Sequence, residues 1–305
     1  MQRLTHIWLL LLFTSGCALQ SQISNDATDV VTLIAINDVY RIEGVDARRA
    51  GGLSRVRSLR AKTPNSLLLH AGDFLAPSLL SRSYQGEQMI GTMNLLDGLP
   101  GKFDPYMFVV FGNHEFDLSR HKDMATLQTR ISESEFTWLG SNIDFEPTFY
   151  SSEVLMRLKK SKLLHHNGIN IGIFGLTGNY KQPDYIEGFA DPIRVAAEMT
   201  LHLRDAGAEY VIALTHLTAR EDAEILERLG ADGPDLIIGG HEHERLQHLD
   251  PETEKLVIKA DAEARSASRF TLKRADSGLH LEHEYVDLDA SVIEDPLVKH
   301  TVDEW

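Results

Sequence analysis

A chain of 305 residues, 43% of them hydrophobic, can bury one large core or two small ones. Its 30 Lys and Arg face 45 Asp and Glu, a formal charge of −15 with no basic run, which argues against nucleic acid polymers and anionic headgroups as partners. An acidic surface also repels phosphates, so an anionic ligand would need local positive charge, which metal ions can supply.

The N-terminus has Arg3, an apolar run from Ile7 to Phe13, then Thr14-Ser15-Gly16-Cys17. Seven apolar residues fall short of the ~20 that span a bilayer. Residues 1–16 read as a secretory signal peptide. Cys17 is the only cysteine, which excludes an intramolecular disulfide. Its place after small residues resembles the processing box of bacterial lipoproteins, although Thr14 stands where Leu is usual. Lipidation of Cys17 is therefore expected, with residues 17–29 as a polar tether. By resemblance to Gram-negative lipoproteins, Ala18 favours the outer membrane. The expectation is an exported protein held to the periplasmic face of the outer membrane.

Downstream, strand-like runs alternate with helical patterns. Val30–Asn37 predicts a strand, and Leu53, Val56 and Leu59 predict a helix over Gly52–Ala61. Ser66–His70 is a strand, and Gln85–Leu96 a helix closed by Gly98 and Pro100. Met107–Phe111 is a strand, Ser119–Ser134 a helix and Phe136–Gly140 a short strand. Asn167-Gly168 between apolar runs predicts a hairpin within Leu163–Leu176. Pro192–Ala206 is a helix with Gly207 at its end, Tyr210–Thr215 a strand, Glu221–Leu229 a helix and Leu236–Ile238 a strand. Leu256–Ala260, Ser268–Lys273 and His280–Leu288 complete the strands. The alternation predicts an α/β fold with a mixed or two-layered sheet.

Five strands end in side chains of the kind that bind metals: Asp38 with Tyr40, Asp73, Asn113-His114, His216, and His241 with His243. Open α/β sheets bind ligands at the carboxyl ends of their strands. A two-metal site needs hard oxygen donors, imidazoles and one bridging carboxylate. His241 and His243 are two apart and share a face of an extended segment. Singly, a Gly-Asp pair, a strand histidine or a His-Glu-His turn has an ordinary structural explanation. Their recurrence at successive strand ends does not.

In order, "IND-Y", "AGDF", "FGNHEFD", "LTHL" and "GGHEH" resemble the five motifs of the calcineurin-like metallophosphoesterases. "GNHEFD" and "GGLSRVRSLR" resemble the 5′-nucleotidase branch. The likeness runs from Val31 to Leu288, making 30–290 a catalytic domain and 291–305 a C-terminal tail. It implies a fold that the periodicity does not: two stacked mixed β-sheets flanked by α-helices, a four-layer sandwich. It also implies two divalent or mixed-valence metal ions of the Mn, Zn, Fe or Mg kind. One would be held by Asp38, Asp73 and His243, the other by Asp73, Asn113, His216 and His241. His114 and Asp117 would form the catalytic dyad. The implied reaction is hydrolysis of a small phosphorylated substrate by a metal-bridging hydroxide, with His114 serving the departing alkoxide. Phosphodiester or pyrophosphate hydrolysis at the same site is an alternative, as is a non-catalytic binding protein with a degenerate site.

Two features depart from the family. Many 5′-nucleotidases carry a further domain that holds the nucleobase, so a nucleotide substrate is not inherited with the fold. Tyr84, Phe103, Tyr106 and the Tyr180–Phe189 loop are then candidate substrate contacts, although packing or a scattered surface position explains each better than contact does. Tyr40 stands where the family has a metal-binding histidine. Its phenolate could bind the cation, or the longer ring could swing aside and leave water beside Asp38, Asp73 and His243. The poor ligand quality of neutral phenol favours the second. His70 is expected to pack or to orient a ligand, and His165-His166 to be solvated.

Overall fold

A computed structural model describes residues 29–305. The signal segment, Cys17 and the tether up to residue 28 lie outside the described residues.

Two mixed sheets stack face to face. In the first, four strands run parallel to Val30–Ile36: Leu67–His70, Met107–Val110, Thr137–Leu139 and Leu158–Lys159. Ser266–Ala275 joins the other side of Val30–Ile36 antiparallel, followed by Gly278–Asp287. In the second sheet, Ile169–Thr177, Tyr210–His216, Leu236–Gly239 and Leu256–Lys259 are parallel, with antiparallel edges Ser161–His166 and Leu246–Leu249.

Alternation along the strands builds the layers. Val31, Leu33 and Ala35 face inward with Leu67, Leu69, Phe108 and Val110, against Ile171, Ile173, Ile212, Leu214 and Ile238 of the second sheet. Ile34 and Ile36 face outward onto the helices Leu53–Ala61 and Glu87–Met93 through Leu53, Val56, Met89 and Ile90. On the far side, Val211, Ala213 and Ile237 pack against Val195 and Leu203 of Pro192–Asp205 and Ile225 of Ala219–Leu229. The result is the four-layer sandwich that the resemblance implied.

The expected hairpin forms at Asn167-Gly168, where both residues take positive φ (45° and 78°). Three expectations change. The helix expected over Gln85–Leu96 is shorter, Glu87–Met93, and a further helix not expected from the pattern, Leu79–Tyr84, precedes it across left-handed Gln85 and Gly86. The helix expected from Ser119 begins at Met124, after a 3-10 turn at His121–Asp123. The segment 291–305 is no loose tail: Pro296–Glu304 is a helix capped by Asp295, and Val298 and Val302 enter the core. A short ribbon of Ile143–Phe145 with Ile186–Phe189 and the edge strand Leu246–Leu249 were not expected from periodicity.

Candidate metal centre and active site

All five ligand-bearing loops leave the carboxyl ends of parallel strands, three from the first sheet and two from the second. The two sheets therefore contribute to one edge. Donor atoms of Asp38, Asp73 and His243 lie within 4.8 Å of one another. His216 Nε2 is 3.3 Å from Asp73 Oδ2, and the His241 ring centroid is 5.3 Å from that of His216. Asp38, Asp73, His241 and His243 all have positive φ (52°, 59°, 89° and 63°), a costly backbone state that collects at functional sites. Close approach explains two glycines. A Cβ on Gly112 would lie 2.1 Å from Asp73 Oδ1, and one on Gly240 would lie 2.4 Å from Ala71 O.

Each aspartate has one oxygen held by a backbone amide and the other turned to the cluster. Asp38 Oδ2 accepts from Asn37 Nδ2 at 2.7 Å and His241 N at 2.9 Å. Its Oδ1 is 3.2 Å from His243 Nε2. Burial opposes ionisation of Asp38, but His243, His216, Asn37 and the His241 amide outweigh it and hold its pKa down at about 2. Asp73 Oδ1 accepts from His114 N at 2.7 Å, leaving Oδ2 between Tyr40 and His216. His216 Nδ1 donates to Ala71 O at 2.7 Å, which fixes the tautomer and turns Nε2 to the site. Burial lowers the His216 pKa, yet Asp73 and Asp38 outweigh it and raise it to about 9. His216 Nε2 and Asn113 Oδ1 are buried without a hydrogen bond. Orphaned polar atoms beside two carboxylates fit a cation, which would satisfy them together.

Tyr40 does not swing aside. Its hydroxyl lies 2.9 Å from His243 Nε2, 3.2 Å from Asp73 Oδ2 and 3.4 Å from Asp38 Oδ1. The length expected to expel the ring instead carries the oxygen to the middle of the three groups. Burial and the two carboxylates push the phenol pKa far up, so without cations it stays a neutral donor to Asp73.

His114 Nδ1 lies 3.1 Å from both oxygens of Asp117. Hydrogen bonding to Asp117 raises the His114 pKa, and burial opposes it only in part. Lys181 also pairs with Asp117. Beside the dyad opens a cavity of about 270 Å³.

Several contributors escaped sequence reasoning. Glu115, buried between the dyad residues, accepts from the amides of Asp73, Phe74, Leu75 and Gly112 at 2.6–2.9 Å, and so holds the Asp73 loop onto the His114 loop. Glu263 accepts from Tyr40 N and Arg41 N at 3.1 and 3.0 Å, fixing the Tyr40 loop. Lys259, 1% exposed, donates to Leu217 O at 2.7 Å, Gly240 O at 2.8 Å and Glu242 at 2.5 Å, and pairs with Asp222 at 2.9 Å. It ties the His216 loop to the His241–His243 loop. A lysine in the apolar strand "LVIK" and a carboxylate enclosed in "NHEF" were the available signals.

The aromatic candidates fall elsewhere. Phe103 and Tyr106 line a cavity at the amino end of Met107–Val110, opposite the ligand edge. Tyr84 packs on Trp305 at 5.0 Å. Tyr180 stacks on His241 at 4.6 Å, and its hydroxyl accepts from Thr218 N and bonds Glu221, so it braces a candidate ligand. His70 packs edge-on to Phe74 at 4.7 Å. His166 is buried against Tyr106, contrary to the solvated pair expected, while His165 is exposed and bonds Asn170.

Stacked sheets that deliver carboxylates and imidazoles to one shared edge define a metal-binding α/β class. The chain belongs to the calcineurin-like phosphoesterases, whose family pattern matches residues 31–245. It is 28% identical to a probable 5′-nucleotidase of Treponema pallidum over 70% of this chain and 36% of that protein. It is 27% identical to a snake venom 5′-nucleotidase of Naja atra over 64% of this chain and 34% of that one. The chain thus spans about a third of the length of these curated relatives. The crystal structure of a 5′-nucleotidase precursor from Thermus thermophilus superposes with a TM-score of 0.73 at 23% identity, covering 90% of this chain and 58% of that one. That likeness bears on the fold. Among the described residues, no helix is long and apolar enough to cross a membrane.

Proposed function

We propose that the protein is a metal-dependent phosphomonoesterase working with two cations, 5′-nucleotidase-like in its hydrolytic centre. The position of Asp73 carries this reading: its Oδ2 lies 3.2 Å from the Tyr40 hydroxyl and 3.3 Å from His216 Nε2, so both halves of the cluster share one carboxylate oxygen. Asp38, Asp73 and His243 would hold one cation, with the Tyr40 oxygen in place of the family's imidazole. Asp73, Asn113, His216 and His241 would hold the other. When bound, such cations would supply positive charge for the phosphoryl oxygens and lower the pKa of water. His114 gives its proton to the departing alkoxide oxygen. Asp117 orients the imidazole and, by raising its pKa, favours the protonated form, and Lys181 steadies Asp117. No serine or cysteine nucleophile takes part.

The names of the relatives make nucleoside monophosphates the first substrates to try, beside sugar phosphates. The test is phosphate release from phenyl phosphate with and without chelator, followed by restoration with Mn, Zn, Fe or Mg. Hydrolysis that survives chelation overturns the metal reading. Metal binding without hydrolysis of any ester turns the protein into a binding module. Export and lipid attachment at Cys17 belong to the same reading. A Cys17→Ser protein should leave the membrane fraction, and a wild type that starts elsewhere and fractionates as soluble overturns the anchor.

A further inference from the structure

The cavity beside the dyad has a composition that phosphoryl chemistry does not require. Its body is apolar, formed by Leu75, Pro77, Leu118 and Leu127. His114, Asp117, Arg82 and Arg130 also line it. Arg82 is exposed, and its guanidinium has no hydrogen bond or ion pair among the described residues. In a chain of net charge −15, carboxylate partners are plentiful, and Arg82 has none. Arg130 is 8% exposed, and its Nε and Nη1 are buried without a hydrogen bond. Its Nη2 meets Glu133 at 3.2 Å, and Glu87 comes only to 4.0 Å from Nη1. Buried guanidinium nitrogens without acceptors are costly unless a ligand supplies one.

We propose that this cavity is the leaving-group subsite, and that it selects esters whose alcohol has an apolar body carrying a second anionic group. The proposal rests on the phosphomonoesterase reading, because His114 on the cavity wall is the group that would face the leaving oxygen. Leu75, Pro77, Leu118 and Leu127 enclose the body of the alcohol. Arg82 and Arg130 receive its carboxylate or second phosphate through charge-assisted hydrogen bonds. Recognition thus comes from within the catalytic sandwich itself.

The experiment compares kcat/KM for phenyl phosphate, 4-carboxyphenyl phosphate and 1,4-phenylene bisphosphate in wild type, Arg82→Ala and Arg130→Lys. Comparing the ratio of substrates between wild type and variant cancels leaving-group reactivity. Wild type should favour an anionic ester over phenyl phosphate by about tenfold, mostly through KM, the size of one charge-assisted hydrogen bond. The two anionic esters show whether carboxylate or phosphate is the better fit. Arg82→Ala, which removes an exposed and unpartnered side chain, should collapse the preference. A ratio near one in wild type, or a preference untouched by Arg82→Ala, overturns the proposal. If no aryl phosphate is hydrolysed, the phosphomonoesterase reading falls separately. Binding of 4-hydroxybenzoate against phenol, followed by calorimetry, then decides the subsite: it stands if 4-hydroxybenzoate binds tighter and Arg82→Ala abolishes the difference, and falls otherwise.

Discussion

His216 and His243 each bring Nε2 to an aspartate, at 3.3 Å from Asp73 and 3.2 Å from Asp38, yet the first is fully buried and the second side chain is half exposed. Behind His216 stand the carbonyl of Ala71 and the buried ammonium of Lys259, which grips the neighbouring loop carbonyls. On its open side, His216 Nε2 and Asn113 Oδ1 lack hydrogen bonds. Around Asp38 the reverse holds. The Tyr40 hydroxyl fills the space between Asp38, Asp73 and His243 and already serves their polar atoms. One half of the cluster is braced and unsatisfied, and the other is looser and partly satisfied from within. A cation gains most where orphaned donors wait in a fixed geometry, so the His216 half should bind the tighter ion.

The comparison breaks first at the residue common to both halves. Asp73→Ala should remove both cations and lower phosphate release on the order of 10⁴-fold or more, because the lost charge stabilisation amounts to several kcal/mol. Elemental analysis that finds two ions retained would remove Asp73 from its shared role. Next comes the dyad, which lies outside both halves. His114→Ala should keep its metal and lose about 10²–10⁴-fold in turnover. Asp117→Asn should be milder and move the alkaline limb of the pH–rate profile downward, since Asp117 is what raises the His114 pKa. An unmoved limb would separate Asp117 from that proton.

The bracing of the His216 half can be tested on its own. Lys259→Met leaves Asp222 and Glu242 facing each other without their cation, which should cost about 3–5 kcal/mol in urea unfolding. It should also weaken the tighter metal by about 10–100-fold, as loss of a group that orients ligands does. A variant that is destabilised with metal affinity unchanged would make Lys259 a packing device only.

The sequence was legible where chemistry recurs at strand ends. Asp38, Asp73, Asn113, His216, His241 and His243 stand at successive strand ends, and the parallel strands bring them to one edge. Period-2 burial does not say how many sheets share the strands, so the sandwich came from the resemblance rather than from periodicity. The residues that brace the site were hidden for a different reason. Glu115, Glu263 and Lys259 act through hydrogen bonds to backbone groups distant in sequence, and no local spacing encodes such partners. Arg82 and Arg130 are far apart in sequence, and only folding brings both to the lining of one cavity. The short helix before Gln85 was missed because six residues give too little periodicity to read, and the left-handed pair Gln85-Gly86 sets it apart from the helix that follows.

The smallest expected effect is the sharpest test of the looser half. Tyr40 places an oxygen where an imidazole would otherwise sit, within 2.9–3.4 Å of three candidate donors. Without a cation its proton belongs to the hydrogen bond with Asp73. With a cation at that point, the positive charge favours the ionised oxygen. A phenolate is a hard anionic donor, so it favours Fe(III) or Mn over Zn, which is at home with nitrogen and sulfur. Wild type loaded with ferric iron should then show a visible phenolate-to-iron charge-transfer band, and Tyr40→Phe should lack it. Tyr40→His restores nitrogen, and should tighten the weaker zinc by about tenfold, the effect of one well-placed ligand group. The His216 half should titrate as before in both variants, which keeps the two sites distinguishable in one metal titration. A wild-type protein without the band assigns the position to water and makes Tyr40 a hydrogen-bonding neighbour. A weaker-site titration identical in wild type, Tyr40→Phe and Tyr40→His would mean that the tyrosine does not set that site's affinity, and the contrast between the halves would then rest on exposure and bracing alone.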